Sequence, residues 1–149
     1  MAEQTATMTL LGIGEAAARA GVSERALRYY QQLGLITPSS VTPGGLRRYS
    51  EENLARVARI RELQSLLGFN LDEIRDVLFS EDRMAEVRRA REAGVSEARR
   101  RELVAESLVL QEGLRATVAA KREALEVFFA DLDARIGRMR DWLADHPAG

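Results

Sequence analysis

The sequence contains no cysteine. That excludes disulfides, thiolate metal sites and thiol-based redox sensing within the chain. Histidine occurs once, as His146, so neither an imidazole metal cluster nor a His-based acid–base pair is expected. Lysine also occurs once, as Lys121, which leaves arginine to carry the positive charge. No apolar run approaches the roughly 20 residues of a membrane span, and no signal-peptide pattern opens the chain. A soluble cytoplasmic protein is the expectation. No nucleophile–base pair or phosphate loop is visible, and "GIGEAA" has too few glycines and no preceding strand for a nucleotide fingerprint. Neither an enzyme nor a cofactor-binding protein is expected.

What is present is uneven. The 149 residues carry a net charge of -1, with 22 basic and 23 acidic side chains, so any basic surface must be local. From Leu11 to Arg61 there are eight arginines against four glutamates, the clearest basic excess in the chain. Aromatic residues make up only 5%, yet all three tyrosines, Tyr29, Tyr30 and Tyr49, lie in that same segment. Such local charge is the kind that attracts phosphate.

The stretch "GIGEAAARAG" has high helix propensity across Glu15–Arg19 and stops at Gly21. Ser23 follows at an N-cap position, where its hydroxyl can accept an orphan backbone N–H. A second helix is expected from Glu24 to Gln32, ending at Gly34. Two short helices joined by a glycine turn form a helix-turn-helix. On the second helix, Leu27, Tyr30 and Leu33 should pack inward. Arg25, Arg28, Tyr29 and Gln32 share the opposite face. A solvated charged surface is the ordinary reading of such a face. The cap, the turn and the exposed tyrosine favour a DNA-facing one.

Leu35–Thr37 and Leu46–Tyr49 are strand candidates, separated by two prolines and two glycines. The expectation is a small hairpin, or wing, with Arg47 and Tyr49 on one side and Arg48 on the other. Ser50 should cap a third helix with Glu51 and Glu52 in its first turn. Its apolar stripe is Leu54, Val57, Ile60, Leu63 and Leu67, and it ends at Gly68. Asn70 and Glu73 form a capping box for a fourth helix, with Ile74, Val77 and Leu78 facing inward.

Residues 80–149 show no strand signal. A short helix from Glu81 to about Glu92 is expected, broken at Gly94, and another begins after Ser96. Leu103, Leu110 and Leu114 mark one stripe. From Val118 the sequence steps by alternating four and three: Val118, Arg122, Leu125, Phe129, Leu132, Ile136, Met139, Leu143. That is a coiled-coil seam, interrupted at Arg122. Gly113 either sits inside one helix at a cost of roughly 1 kcal/mol or divides two helices. The seam needs a partner, which is either residues 81–111 of the same chain or a second copy. The arginine runs at Arg88–Arg91 and Arg99–Arg101 read as solvated helix faces.

Taken in order, "IGEAAARAGVSERALRYYQQLGLITPS", "GGLRRYSEENL" and "LLGFNLDEIRDVL" resemble the MerR family of transcription regulators, over about Leu11 to Leu78. The resemblance implies a winged helix-turn-helix, a dimer joined by an antiparallel coiled coil, and a palindromic site between widely spaced promoter elements. It also implies that DNA distortion realigns those elements for RNA polymerase. By position it places Arg25 and Arg28 at DNA, with Arg28 suited to a bidentate guanine contact. Tyr29, Arg47 and Tyr49 fall at backbone-contacting positions, with Arg48 beside them, and Arg61 on a second wing made by helices three and four. Ser23 aims the helix N-terminus at a phosphate. Three positions depart from the family pattern: Gly12 for a capping Thr or Ser, Leu46 for a wing tyrosine, and Val41 for an arginine found in some members. Leu46 is then expected to serve the core.

The expected fold is mainly α. A flexible leader (1–10) precedes a winged helix-turn-helix DNA-binding domain with a small β-hairpin (11–79). A helical linker and long coiled-coil dimerisation helix follow (80–149). The expected partners are double-stranded promoter DNA, a second copy of the chain and RNA polymerase. No thiol-bound metal is expected as effector. A small apolar pocket near Phe128, Phe129 and Trp142 is a less favoured use of those aromatics than the seam itself. The competing reading is a protein-interaction module that uses the same fold without specific DNA binding.

Overall fold

The computed structural model describes residues 9–147. Most of the expected leader lies outside the described residues. The chain divides into two units, one reaching Phe79 and the other starting at Ser80.

In the first unit, α1 (Ile13–Ala20) packs on α2 (Glu24–Gln32) and on α3 (Glu51–Leu67). Local chemistry sets each boundary. Gly21 closes α1 at φ 67°, a left-handed conformation that glycine adopts without a Cβ clash. Ser23 then caps α2, its Oγ accepting the Ala26 N–H at 3.0 Å. Ser50 and Asn53 cap α3 reciprocally: the Asn53 N–H donates to Ser50 Oγ at 3.4 Å and the Ser50 N–H to Asn53 Oδ1 at 3.1 Å. Asn53 also donates from Nδ2 to the Thr37 carbonyl at 2.8 Å, which ties the cap to the chain leaving α2. The fourth helix, α4 (Leu71–Glu92), opens on the expected box, with Asn70 N–H to Glu73 Oε2 at 2.8 Å and Glu73 N–H to Asn70 Oδ1 at 2.9 Å.

The wing is an antiparallel pair, β1 (Ser40–Val41) and β2 (Arg47–Arg48), with Val41 opposite Arg47. Its Pro43–Gly45 loop is closed by the Thr42 N–H on the Leu46 carbonyl and the Gly45 N–H on the Thr42 carbonyl, both 2.8 Å. Gly45 takes φ 81°, as the residue closing a three-residue hairpin loop commonly does. The first strand is therefore not Leu35–Thr37. Leu35 and Ile36 are instead buried in the core, because the tight loop can pair only the residues next to it. Leu46, expected inward, is 63% exposed beside that loop, where so short a hairpin has no underside to bury it.

The core gathers Leu11, Ala16, Leu27, Leu35, Val57, Ile60, Leu63, Ile74 and Leu78. Leu67, the last residue of the expected α3 stripe, is 56% exposed. Three arginines fasten the ends of the first two helices. Arg61 Nη1 donates to the Ala20 carbonyl at 3.2 Å, Arg75 Nη2 to Leu33 at 3.2 Å, and Arg56 Nε to Leu35 at 2.6 Å. Cations suit these positions because carbonyls at and just beyond a helix C-terminus lack intrahelical partners and carry the negative end of the dipole.

α4 continues from the first unit into the second without the expected break near residue 80; no Gly or Pro lies between Leu71 and Glu92 to stop it. Gly94 ends that run at φ 67°. Ser96 caps α5 (Glu97–Asp145), its Oγ accepting the Arg99 N–H at 3.2 Å. α5 is one helix of 49 residues and passes through Gly113, so the two-helix alternative does not hold. Within this unit Leu103 and Ser107 of α5 are buried, and Arg83 of α4 pairs with Glu106 of α5. Val118, Leu125, Phe129, Ile136, Met139 and Leu143 are all exposed, as are Phe128 and Trp142. Trp142 stacks on His146 with ring centroids 4.3 Å apart. No described helix is long and apolar enough to cross a membrane.

Asn53 serves α3 and the Thr37 carbonyl at once while almost fully buried. Asn53→Ala should lower the unfolding free energy by about 1–3 kcal/mol, as expected for stranded buried partners. Urea denaturation checks this, with an unchanged slope expected.

Candidate nucleic-acid interface

The exposed face of α2 is fixed by its buried one. Leu27 and Tyr30 are buried, and Tyr30 OH donates to Gln64 Oε1 of α3 at 3.3 Å. Helical spacing then turns Arg25, Arg28, Tyr29 and Gln32 outward. These four, with Ser23 and Ala26, line an open trough of about 700 Å3. Tyr29 is 48% exposed. Arg28 Nη2 lies 3.3 Å from Glu24 Oε2, one turn earlier. An exposed pair of this kind contributes little and yields readily to a stronger anion.

Arg28 stands where the trough meets the wing. It lines a second depression with Arg47, Arg48, Leu46, Gly45 and Gly12, and a third with Gln31, Gln32, Pro38 and Arg47. Three guanidinium groups from α2 and β2 therefore face one concave surface. A Cβ at Gly12 would lie 3.4 Å from Arg48 Nη1, an ordinary van der Waals contact. The lining roles of Gly12, Gly45 and Pro38 escape sequence reasoning, which weighs charge and hydrogen-bonding groups above shape.

Tyr49 is the correction. It was expected beside Arg47 on the DNA side of the wing, and it is 0% exposed. Its backbone leaves the hairpin ladder and bridges to Leu11, with N–H···O distances of 2.8 and 2.9 Å. Its side chain points into the core, where its hydroxyl accepts from the Gln31 Nε2 amide of α2. Period-two alternation fails here because Tyr49 belongs to a second pairing, with a segment far away in sequence. Gln31 was not singled out from the sequence at all, since it falls between the two faces of α2. Arg61 is exposed, as expected, but in the free protein it holds the end of α1 at Ala20, next to the turn that precedes Ser23.

The architecture and its cleft define a winged helix-turn-helix module. Residues 11–81 match the model of the MerR HTH family regulatory proteins. Over 67 residues the chain is 34% identical to the HTH-type transcriptional regulator YfmP of Bacillus subtilis (strain 168), which covers 45% of this chain and 48% of that protein. Over 63 residues it is 48% identical to the nodulation protein NolA of Bradyrhizobium sp. (strain NC92), covering 42% and 26% respectively. The match thus spans about half of one relative and about a quarter of the other. The fold is also that of HiNmlR, described as a MerR family regulator lacking the sensor domain, bound to promoter DNA. The TM-score is 0.54 at 18% identity, over 91% of this chain and 94% of that one. The likeness to the MerR family lies in residues 11–81 of the chain.

Burial raises the Tyr49 phenol above its ordinary value of 10.0, while Arg47, the Gln31 hydrogen bond and Arg28 pull it down. The unfolded chain therefore loses this proton first. The stability that Tyr49 contributes is full below pH 10.0 and is lost as pH rises through the elevated value. Urea denaturation across that range should show a decline in the parent protein and a shallower one in Tyr49→Phe.

Proposed function

We propose that the protein is a dimeric, sequence-specific transcription regulator that binds a palindromic promoter site. In this reading residues 11–79 form the DNA-binding domain and residues 80–149 the helical dimerisation region. The observation that carries it is the convergence of Arg28 with Arg47 and Arg48 on the cleft between α2 and the wing. An α-helix fits the major groove, and an arginine fork matches guanine O6 and N7. Arg28 is the base-reading residue, with Arg25 beside it. Ser23, Tyr29, Arg47, Arg48 and Arg61 are contacts to the phosphate backbone, which position the helix without reading sequence. Tyr49 is not among them. It holds the wing from behind.

Dimerisation rests on the exposed apolar row along α5. Each buried Leu or Phe contributes roughly 1.5–3 kcal/mol, so several together strongly favour a second copy. A two-fold dimer would present the cleft twice to one duplex, at half-sites about one helical turn apart. The likeness to the MerR family favours a further step, in which the bound DNA is distorted between promoter elements and RNA polymerase reads the altered spacing. Bending of that order costs a few kcal/mol, offset by the added protein contacts.

Binding to DNA from the promoter of its own gene, measured over a salt series, tests the reading. Arg28→Ala should weaken specific binding by about 1–3 kcal/mol and relax the preference at one base pair. Arg47→Ala should weaken all sequences alike and lower the salt slope by about 1. Equal affinity for any duplex, unchanged by Arg28→Ala, would favour the protein-interaction reading.

A further inference from the structure

The turn between α4 and α5 gathers positive charge. Residues Arg88 to Arg101 hold six arginines against two glutamates. Leu11–Arg61 needs eight against four to reach the same excess, over a far longer stretch. Arg83 of α4 pairs with Glu106 of α5, and Met84 and Val87 line one groove with Val104 and Leu108. The two helices therefore run antiparallel, and the chain reverses at Gly94. At 1.5 Å per residue, each arginine lies within roughly 6 Å of the helix end nearest the turn. All six are exposed.

Counter-ions set this cluster apart. In the first unit Arg19, Arg28, Arg59 and Arg75 each pair with a carboxylate, while Arg56 and Arg61 hold carbonyls. Among the described residues of that unit, only Arg25, Arg47 and Arg48 have neither, and all three line the trough or the wing depression. The same condition recurs at the turn. Arg99 pairs with Glu102 at 3.0 Å and Arg100 with Glu97 at 3.8 Å. Arg88, Arg89, Arg91 and Arg101 have no ion pair among the described residues.

Helix electrostatics explain only half of the cluster. Cations suit the C-terminal end of α4, but Arg99 and Arg100 fall in the first turn of α5, at the positive end of its dipole. Unneutralised like charges also repel one another across the turn. Both costs fall when an anion binds. Between the arginines lie Ala90, Ala93, Gly94 and Val95, with no aromatic or long apolar side chain to anchor a protein partner. Charge set among small residues fits a phosphate backbone, which is held by charge and close approach without reading sequence.

We propose that the α4–α5 turn is a second, sequence-independent contact to duplex DNA. Arg88, Arg89, Arg91 and Arg101 neutralise phosphates additional to those met by the cleft. The proposal rests on the DNA reading above and adds a binding surface in the second unit.

Arg88→Gln/Arg89→Gln/Arg91→Gln/Arg101→Gln in the full chain tests it. Glutamine keeps the helix propensity, and an unchanged circular dichroism melt reports an intact fold. Should the melt shift, Arg88→Gln/Arg91→Gln alone carries the test, with half the effect. Affinity for DNA of its own promoter and for an unrelated duplex is measured over a salt series. The salt slope should flatten on both duplexes by about 0.9 for each phosphate released, roughly 3.6 for all four. The ratio of the two affinities should stay that of the parent. The matching lysine set should restore the slope, because the contact needs charge alone. Arg115→Gln/Arg122→Gln/Arg138→Gln/Arg140→Gln removes the same charge elsewhere on α5 and should leave the slope near that of the parent. Equal flattening by both glutamine sets assigns the effect to net charge and overturns the proposal. A parent-like slope in the first set overturns it too, and loss of retention on immobilised polyglutamate then gives the turn to an acidic protein. A parent protein that binds both duplexes equally overturns the sequence-specific reading instead, and the slopes still decide the turn.

Discussion

One residue binds the wing to α2. Tyr49 closes a backbone bridge to Leu11, ahead of α1, and its hydroxyl receives the Gln31 amide from the inner side of α2. The N-terminal segment, the base of the hairpin and α2 therefore meet at one buried phenol. β2 leaves that point with Arg47 and Arg48 directed to the depression that Arg28 also lines. A two-strand hairpin is too small to hold a conformation in water on its own. What orients this one is its anchorage, and the geometry of the cleft follows from it.

The rest of the first unit keeps α2 aimed. Ser23 sets where the helix begins, Tyr30 and Gln64 set its rotation against α3, and Arg75 and Arg56 hold the carbonyls beyond its end. Arg56 belongs to the segment whose basic excess first suggested a phosphate surface. Part of that excess is structural: Arg56 and Arg61 bind carbonyls of the fold itself, as Arg75 does from beyond the segment. The arginines that line the trough and the wing depression are instead Arg25, Arg28, Arg47 and Arg48. A contact surface of few, well-placed cations depends more on the rigidity of its scaffold than a diffuse basic patch does.

Features governed by neighbours in sequence were legible. The caps at Ser23, Ser50, Asn70 and Ser96 and the helix ends at Gly21, Gly68 and Gly94 follow from which side chain or backbone can satisfy an orphan group within a few residues. The outward face of α2 was legible for the same reason. Features governed by distant pairing were not. Tyr49 turns inward because Leu11 pairs with it. Leu35 and Ile36 look like a strand but plug the core, since a three-residue loop brings Ser40 and Val41 to the ladder. The continuity of α5 through Gly113 was left open by the sequence because one glycine costs only roughly 1 kcal/mol, little against so long a run of helix formers.

The central claim is that the Tyr49–Gln31 contact makes wing and helix act as one surface on DNA. A double-mutant cycle on specific DNA affinity, pairing Tyr49→Phe with Arg47→Ala, tests it most directly. If the claim holds, Tyr49→Phe alone weakens binding, although it is buried away from the duplex, and Arg47→Ala costs less in its presence than in the parent protein. Strictly additive losses, or an affinity untouched by Tyr49→Phe, would contradict it.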